Sequence, residues 1–366
     1  AMCPSYKATG DPALSPRGRV DLLRSWLSDQ GSDPGFEDEV AANLHQCLSC
    51  SACTGRCPVE VNIPELKSRF FEDYHSRNRR PVSHHLMSHF EELAVLAARI
   101  PRLARVGLKP AERLLGLVDL PVPSGIRVPN LPTFTGQTGL DIVLVPDVFT
   151  SALEPETLTQ AVLVLQSLGY ATAVSKFVGS GKFDHVKGRR TRFAKAVARQ
   201  ADLIGSITAT GAVPVVVEPA VALLHRHEYP ALMASYPSAE VASLAEVILE
   251  RAGELVLVGS GQSVLLLGHC TERATEPALA AGWTAILRAV GYEVQAPEVG
   301  CCGMAGVFGH EANNQKMSKD LWDLSWAPRL KSASAQYVVA TGYSCRSQAK
   351  RCGDVQLVHP LHLLKP

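Results

Sequence analysis

An all-α N-terminal region followed by an α/β region with parallel sheet is the fold class this sequence predicts. Three observations point to it. A dense cysteine run, CLSCSACTGRCP at 47–58, lies among helical periods; beyond residue 141 short β-branched runs alternate with helical segments; and that second region contains an internal repeat. The 366 residues suffice for two or three hydrophobic cores. Lys and Arg (36) balance Asp and Glu (35), so no global field recruits nucleic acid. No apolar stretch approaches the roughly 20 residues of a transmembrane helix, and the first residues lack a secretory pattern. A soluble, cytoplasmic chain is expected.

The elements follow in order. In SPRGRVDLLRSWLSDQ, Val20, Leu23 and Leu27, with Leu22 and Trp26 beside them, keep a helical period; Phe36, Val40, Leu44 and Cys47 repeat it. After Pro58, Asn62 with Glu65 three residues later marks the start of a third helix. Residues 78–118 continue as helix broken at Pro81 and Pro101, and the Pro- and Gly-rich stretch 119–140 reads as a linker. From Asp141 the runs DIVLVP, PVVVE, LVLVG, SVLLLG, YVVAT and VQLVH read as strands, with helices at 156–168, 190–203 and 277–289. Residues 143–170 parallel 265–292, each with Glu-Pro and, fourteen residues later, Gly-Tyr, which argues for two like halves at 141–252 and 253–366.

Ten cysteines in a reducing compartment are not expected to form disulfides, and their clustering implies two sites. Cys47, Cys50, Cys53 and Cys57 before Pro58 reproduce the C-x2-C-x2-C-x3-C-P run of [4Fe-4S] proteins, in which soft thiolates match iron and short gaps wrap one cube. A zinc knuckle on the same residues fits less well, because zinc sites split their ligands into separated pairs. In two-cluster proteins the cysteine before proline serves the other cluster. The cube of Cys47, Cys50 and Cys53 therefore needs a thiolate from another Cys-Pro pair, and Cys3-Pro4 supplies it. Cys57 is left to a cluster whose other ligands would precede residue 1, so the sequence reads as truncated.

In the second region Cys270, Cys301, Cys302 and Cys345 each follow a strand, and strand carboxyl ends share one sheet edge. Adjacent cysteines on one centre favour a polynuclear iron-sulfur cluster; with one of them free, zinc or a reactive thiol pair is the alternative. Cys352 has no such placement and reads as structural. The first half carries Val148, Gly179-Ser180-Gly181 and Val221 at the corresponding positions, a site without thiols. VGSGKF at 178–183 and VGSGQS at 258–263 do not complete a phosphate-binding loop, His85 and His89 lack the carboxylate of a metalloprotease helix, and HRHEY at 225–229 reads as a polar contact between segments.

These motifs carry resemblances. Residues 1–118 resemble the α-helical ferredoxin domain of membrane-linked dehydrogenases. The C…CCG…C pattern resembles the cysteine-rich CCG domain of heterodisulfide reductase subunits, glycerol-3-phosphate dehydrogenase anchor subunits and lactate-utilisation proteins, although the usual closing C-x-x-C reads Cys345-Arg-Ser-Gln348 here. MCPSYKATGDPALSPRGRV, VEPAVALLHRHEY, CCGMAG and TGYSCRSQAKR are together similar to the C-terminal part of bacterial FAD-linked 2-hydroxyacid dehydrogenases of the D-2-hydroxyglutarate and D-lactate dehydrogenase kind. The resemblance implies an electron-relay oxidoreductase component, with FAD and substrate oxidation in an upstream domain or subunit. An electron carrier or the quinone pool would be the acceptor, at the face of the inner membrane. A docking module with structural zinc, and a thiol or heterodisulfide reductase-like component, are the alternatives.

Overall fold

The computed structural model describes residues 3–29, 33–58, 61–101, 110–124 and 130–366. Parts of the helical stretch 78–118 and of the linker 119–140 expected from sequence lie outside the described residues. The helical region comprises α1 (Pro4–Thr9), α2 (Pro16–Asp29), α3 (Pro34–His45), α4 (Ile63–Arg77), α5 (Val82–Met87) and α6 (Phe90–Ala97). Proline in the first turn opens α1, α3 and α4, where its missing N–H costs nothing. Asp33 caps α3 by accepting from the N–H groups of Gly35 and Phe36, and Asn62 caps α4 by accepting from Glu65 N at 3.0 Å. Leu23, Val40, Ala41, Leu44, Phe70 and Phe71 form the core of this region.

The inward stripe of α2 departs from the sequence expectation. Leu27 is 65% exposed, while Arg19 is buried at 1%. The buried line runs Arg19–Leu23, with Trp26 packed edge-on to Phe70 at 4.9 Å. Helix geometry cannot bury Leu27 and Trp26 equally, and the larger ring takes the inner position.

Two parallel sheets follow. β1 (Ile142–Leu144), β2 (Thr172–Val174), β3 (Val213–Val216) and β4 (Ala242–Ser243) lie in the order β2-β1-β3-β4; β5 (Ser263–Leu267), β6 (Glu293–Gln295) and β7 (Tyr337–Ala340) lie in the order β6-β5-β7. Val358 bridges Val339 of β7 in parallel, as β4 pairs with β3 in the first sheet. The shared sequence signs have shared geometry. Glu154 and Glu276 both sit at helix N-caps with φ near −135° (−137° and −135°), ahead of Pro155–Ser167 and Pro277–Ala289. Gly169 and Gly291 take φ of 82° and 95° past the ends of those helices, letting Tyr170 N and Tyr292 N return to the carbonyls of Leu165 and Leu287.

LVLVG at 255–259 is not a strand. It has no strand to pair with: Val258 N and Gly259 N both donate to Val290 O, and Leu257 is 73% exposed. In the stretch expected as linker, Thr133 bridges Val174 in parallel, so part of it extends the first sheet at its β2 edge.

The two sheets and their helices enclose one continuous core, in which Ile142, Leu144 and Val215 join Val264, Leu266 and Val339. Charge crosses this boundary in both directions. Arg346, 3% exposed, donates to Glu154 Oε2 at 2.6 Å and Glu218 Oε1 at 2.8 Å. Arg226 donates to Glu276 Oε2 at 2.6 Å and Glu246 Oε2 at 2.5 Å. Each half thus reaches the Glu-Pro helix cap of the other, and HRHEY is a contact between segments. The helical region docks through α4, whose Glu65 meets Arg190 (2.5 Å) and His185 (3.3 Å). Gly188 lies against Phe71, where a methyl group would come within 2.6 Å of Phe71 Cβ.

Breaking a buried ion pair by removing one partner strands the other charge, at about 3–5 kcal/mol. Arg346→Met should therefore lower the urea midpoint by a corresponding amount, and adding Glu218→Gln should recover part of the loss. An unchanged midpoint in the single variant would contradict a stabilising role for this contact.

Candidate functional site

Two groups of thiols face one another across the junction of the helical and α/β regions. Cys3, at the N-cap of α1, joins Cys47, Cys50 and Cys53 around a small cavity that Pro16, Arg19, Leu48, Ile63 and Pro64 help to line. The loop holding three of these thiols is tightly wound: Ser49 and Ser51 have φ of 51° and 56°, a conformation that costs a non-glycine residue about 1–2 kcal/mol. It persists because its surroundings fix it. Ser5 Oγ donates to Gln46 O at 2.6 Å, Lys67 Nζ to Cys47 O at 2.6 Å, and Asn43 Nδ2 to Ala13 O at 2.9 Å. Gly18 allows α2 to lie on the preceding turn, for a methyl there would come within 2.3 Å of Pro12 O. Cys57 is half-buried and does not line this cavity.

The second group sits at the carboxyl ends of β5, β6 and β7. Cys270 opens the helix Cys270–Thr275 just after β5, Cys301 and Cys302 lie in the loop after β6, and Cys345 lies in the first turn of Tyr343–Gly353 after β7. The four thiols are close enough to shift one another's ionisation, Cys301 acting on Cys270, Cys302 on Cys301 and Cys345 on Cys302. The neighbouring Cys301 thiol and then burial hold Cys270 well above the ordinary thiol value. Gly303 N donates to Cys301 Sγ at 3.3 Å. The glycine of CCG is required by shape: its φ is 93°, and a methyl group would come within 2.1 Å of Ser318 O.

Gln348, where the CCG pattern usually places its last cysteine, is fully buried and donates to Ser318 Oγ at 2.9 Å, pinning its helix to Gln315–Lys331. Cys352 packs at the border of the core around Trp322 and Trp326. In the first half Val148 and Val221 are buried, and Asp147 accepts from Phe149 N and Thr150 N at 2.7 and 2.9 Å. In VGSGKF, Ser180 N and Oγ both donate to Glu91, at 2.5 Å each.

The two groups adjoin. Burial raises the Cys50 thiol, and the next contribution comes from Cys270. Leu48 packs in one apolar cluster with Cys301, Phe308 and Leu321, against which Cys270 also lies. A cavity of ≈ 220 Å³ is lined by thiols of both groups, Cys47 and Cys50 from the first and Cys270, Cys301 and Cys302 from the second. Among the described residues no three His, Cys, Asp or Glu side chains are arranged to hold a single metal ion. Also among the described residues, no helix is long and apolar enough to cross a membrane.

Residues 1–61 match the 4Fe-4S dicluster domain family, a match that supports iron-sulfur binding in this region. Over its whole length the chain is similar to larger proteins. It is 33% identical over 421 residues to D-2-hydroxyglutarate dehydrogenase of Escherichia coli K12, covering 99% of the chain and 41% of that protein. To the Pseudomonas putida D-2-hydroxyglutarate dehydrogenase it is 33% identical over 417 residues, covering 100% of the chain and 41% of that protein. A shorter match, 27% over 145 residues, covers 36% of the chain and 32% of the probable glycolate oxidase iron-sulfur subunit of Bacillus subtilis. The chain spans about two fifths of the length of the D-2-hydroxyglutarate dehydrogenases it matches.

Gly303→Ala should cost about 2 kcal/mol or more, from strain at positive φ and overpacking against Ser318. It should also expose Cys301 and Cys302 to alkylation in the native protein. Thermal unfolding and mass-spectrometric thiol labelling read the two effects separately.

Proposed function

We propose that this chain is the iron-sulfur electron-relay part of a FAD-linked 2-hydroxyacid dehydrogenase. The observation that carries the reading is the cavity ringed by Cys3, Cys47, Cys50 and Cys53, with a second set of thiols beside it. A [4Fe-4S] cube there would take up and release single electrons, chemistry that thiolate ligation and burial tune. In this reading Cys3 completes the ligand set, the Ser49 to Ser51 loop aims its partners, and Cys57 belongs to a different centre. Cys270, Cys301, Cys302 and Cys345 hold a second iron-sulfur centre, and the short path between Cys50 and Cys270 is the route between the two.

The two halves of the α/β region are assigned as duplicated CCG repeats, the first retained without ligands. Like strand orders and like helix caps support this assignment. Substrate oxidation and FAD belong to a partner domain or subunit, and a carrier or quinone removes the electrons. The relatives named D-2-hydroxyglutarate dehydrogenase and glycolate oxidase iron-sulfur subunit support a 2-hydroxy acid as the substrate class. A reactive thiol pair at Cys301 and Cys302 fits poorly, because reactive cysteines are partly exposed and electropositive, whereas these two are 8% and 2% exposed.

Anaerobically reconstituted protein should bind iron and acid-labile sulfide and give a cluster signal by EPR on reduction. Cys47→Ser should abolish that signal, Cys57→Ser should leave it, and Cys301→Ser should remove only the iron of the second centre. Wild-type protein without iron or signal, or with zinc at the second thiol group, would contradict the proposal at the corresponding site.

A further inference from the structure

Arg19 is out of place for a helix interior. It is 1% exposed on α2, lines the cavity of Cys3, Cys47, Cys50 and Cys53, and carries a charge that does not titrate in proteins. Its Nη1 donates to Leu14 O and to Cys3 Sγ, the latter at 3.5 Å, while Nε and Nη2 have no hydrogen-bond partner among the described residues. Among the described residues it pairs with no carboxylate. A buried guanidinium in this condition costs several kcal/mol unless a negative charge compensates it. Lys67, 2% exposed, stands beside the same cysteine loop with its Nζ on the Cys47 carbonyl, again without a carboxylate partner among the described residues. Arg19 lines the cavity of the four thiols and Lys67 the larger cavity on the same cysteine loop, so the loop has a buried cation on each side, which matches an anionic occupant that accepts hydrogen bonds on sulfur.

We infer that Arg19 is a positioning residue for the cluster held by Cys3, Cys47, Cys50 and Cys53: its unpaired N–H groups donate to cluster and thiolate sulfur, and its charge favours the reduced state. The inference rests on the ligand set proposed above. A cube with four thiolates is already negative and gains one further negative charge when one electron enters. A fixed neighbouring cation therefore stabilises the reduced form more than the oxidised form and raises the reduction potential.

The test is an EPR-monitored redox titration of the anaerobically reconstituted chain, with thermal unfolding of the metal-free protein alongside it. Arg19→Met should lower the equilibrium constant for reduction at least tenfold, a fall of 59 mV for one electron. Arg19→Lys, which keeps the charge but loses the fork, should fall less. In the metal-free protein Arg19→Met should melt higher than wild type, since it removes unsatisfied buried donors. Loss of the cluster in Arg19→Met with retention in Arg19→Lys would also support the inference, as the charge would then be needed to hold it. An intact cluster in Arg19→Met at an unchanged potential would overturn it and leave the ligand set standing. Loss of the cluster in both variants, with both metal-free forms melting lower than wild type, would mark Arg19 as merely structural. A wild-type chain that takes up no cluster would defeat the ligand set and this inference together.

Discussion

Bringing Cys3 to the loop of Cys47, Cys50 and Cys53 is the constraint on which the site depends, because more than forty residues of chain separate the first thiol from the next. Three short polar contacts and one glycine meet that constraint. Ser5 ties α1 to Gln46, Asn43 ties α3 to the turn at Ala13, Lys67 ties α4 to Cys47, and Gly18 lets α2 close onto Pro12. Each fixes backbone rather than side chain, so the thiols are aimed by a framework that does not need their own chemistry. The burial of polar atoms that this arrangement demands is costly only where they lack partners. Among the described residues, buried side-chain atoms without a partner occur in several places, with Arg19 Nε, Arg19 Nη2 and Ser49 Oγ among those at or beside this loop.

The second thiol group depends on the first half of the α/β region, even though that half brings no sulfur. Arg346 follows Cys345 directly, and its guanidinium is held by Glu154 and Glu218, both from the first half. Glu218 also accepts from Tyr343 N at 2.8 Å, so it grips both the start of the helix that carries Cys345 and its first turn. The absence of cysteines from the first half costs no packing, because the two halves share one hydrophobic core. The first half acts as a support whose carboxylates set the position of Cys345 through Arg346 and Tyr343.

What was legible in the sequence is what local chemistry dictates. Asn62 reads as a helix cap because its side chain can satisfy an amide of the first turn, and it does so at Glu65. Glu-Pro and Gly-Tyr read as boundaries because proline starts helices and glycine tolerates positive φ, and both copies use them in the same way. The two cysteine groups read as sites from spacing and from their places after strands. Other features were hidden because they arise from tertiary contact. A periodicity argument discounts a charged residue, so Arg19 was passed over in favour of the apolar face around Leu27. Leu255 to Gly259 has strand composition, but its amides are claimed by the turn at Val290. Nothing local marks Ser49 and Ser51 for left-handed backbone, a region usually left to glycine and asparagine.

The adjacency of Cys50 and Cys270 belongs wholly to that hidden category, and it bears most directly on function. Two cysteine motifs separated by more than two hundred residues could equally serve separate partners. Their approach follows from how the helical region docks: Glu65 on Arg190 and His185, Arg80 on the carbonyls of Lys187 and Gly188, and α1 on the helix Gln315–Lys331. These contacts engage both halves at once, so the helical region cannot pivot on one without losing the other. A junction held on both halves keeps the two thiol groups at one separation, as the proposed electron exchange between them would require. It also explains why polar contacts concentrate at the boundaries between units while the thiols occupy the apolar pocket where the units meet.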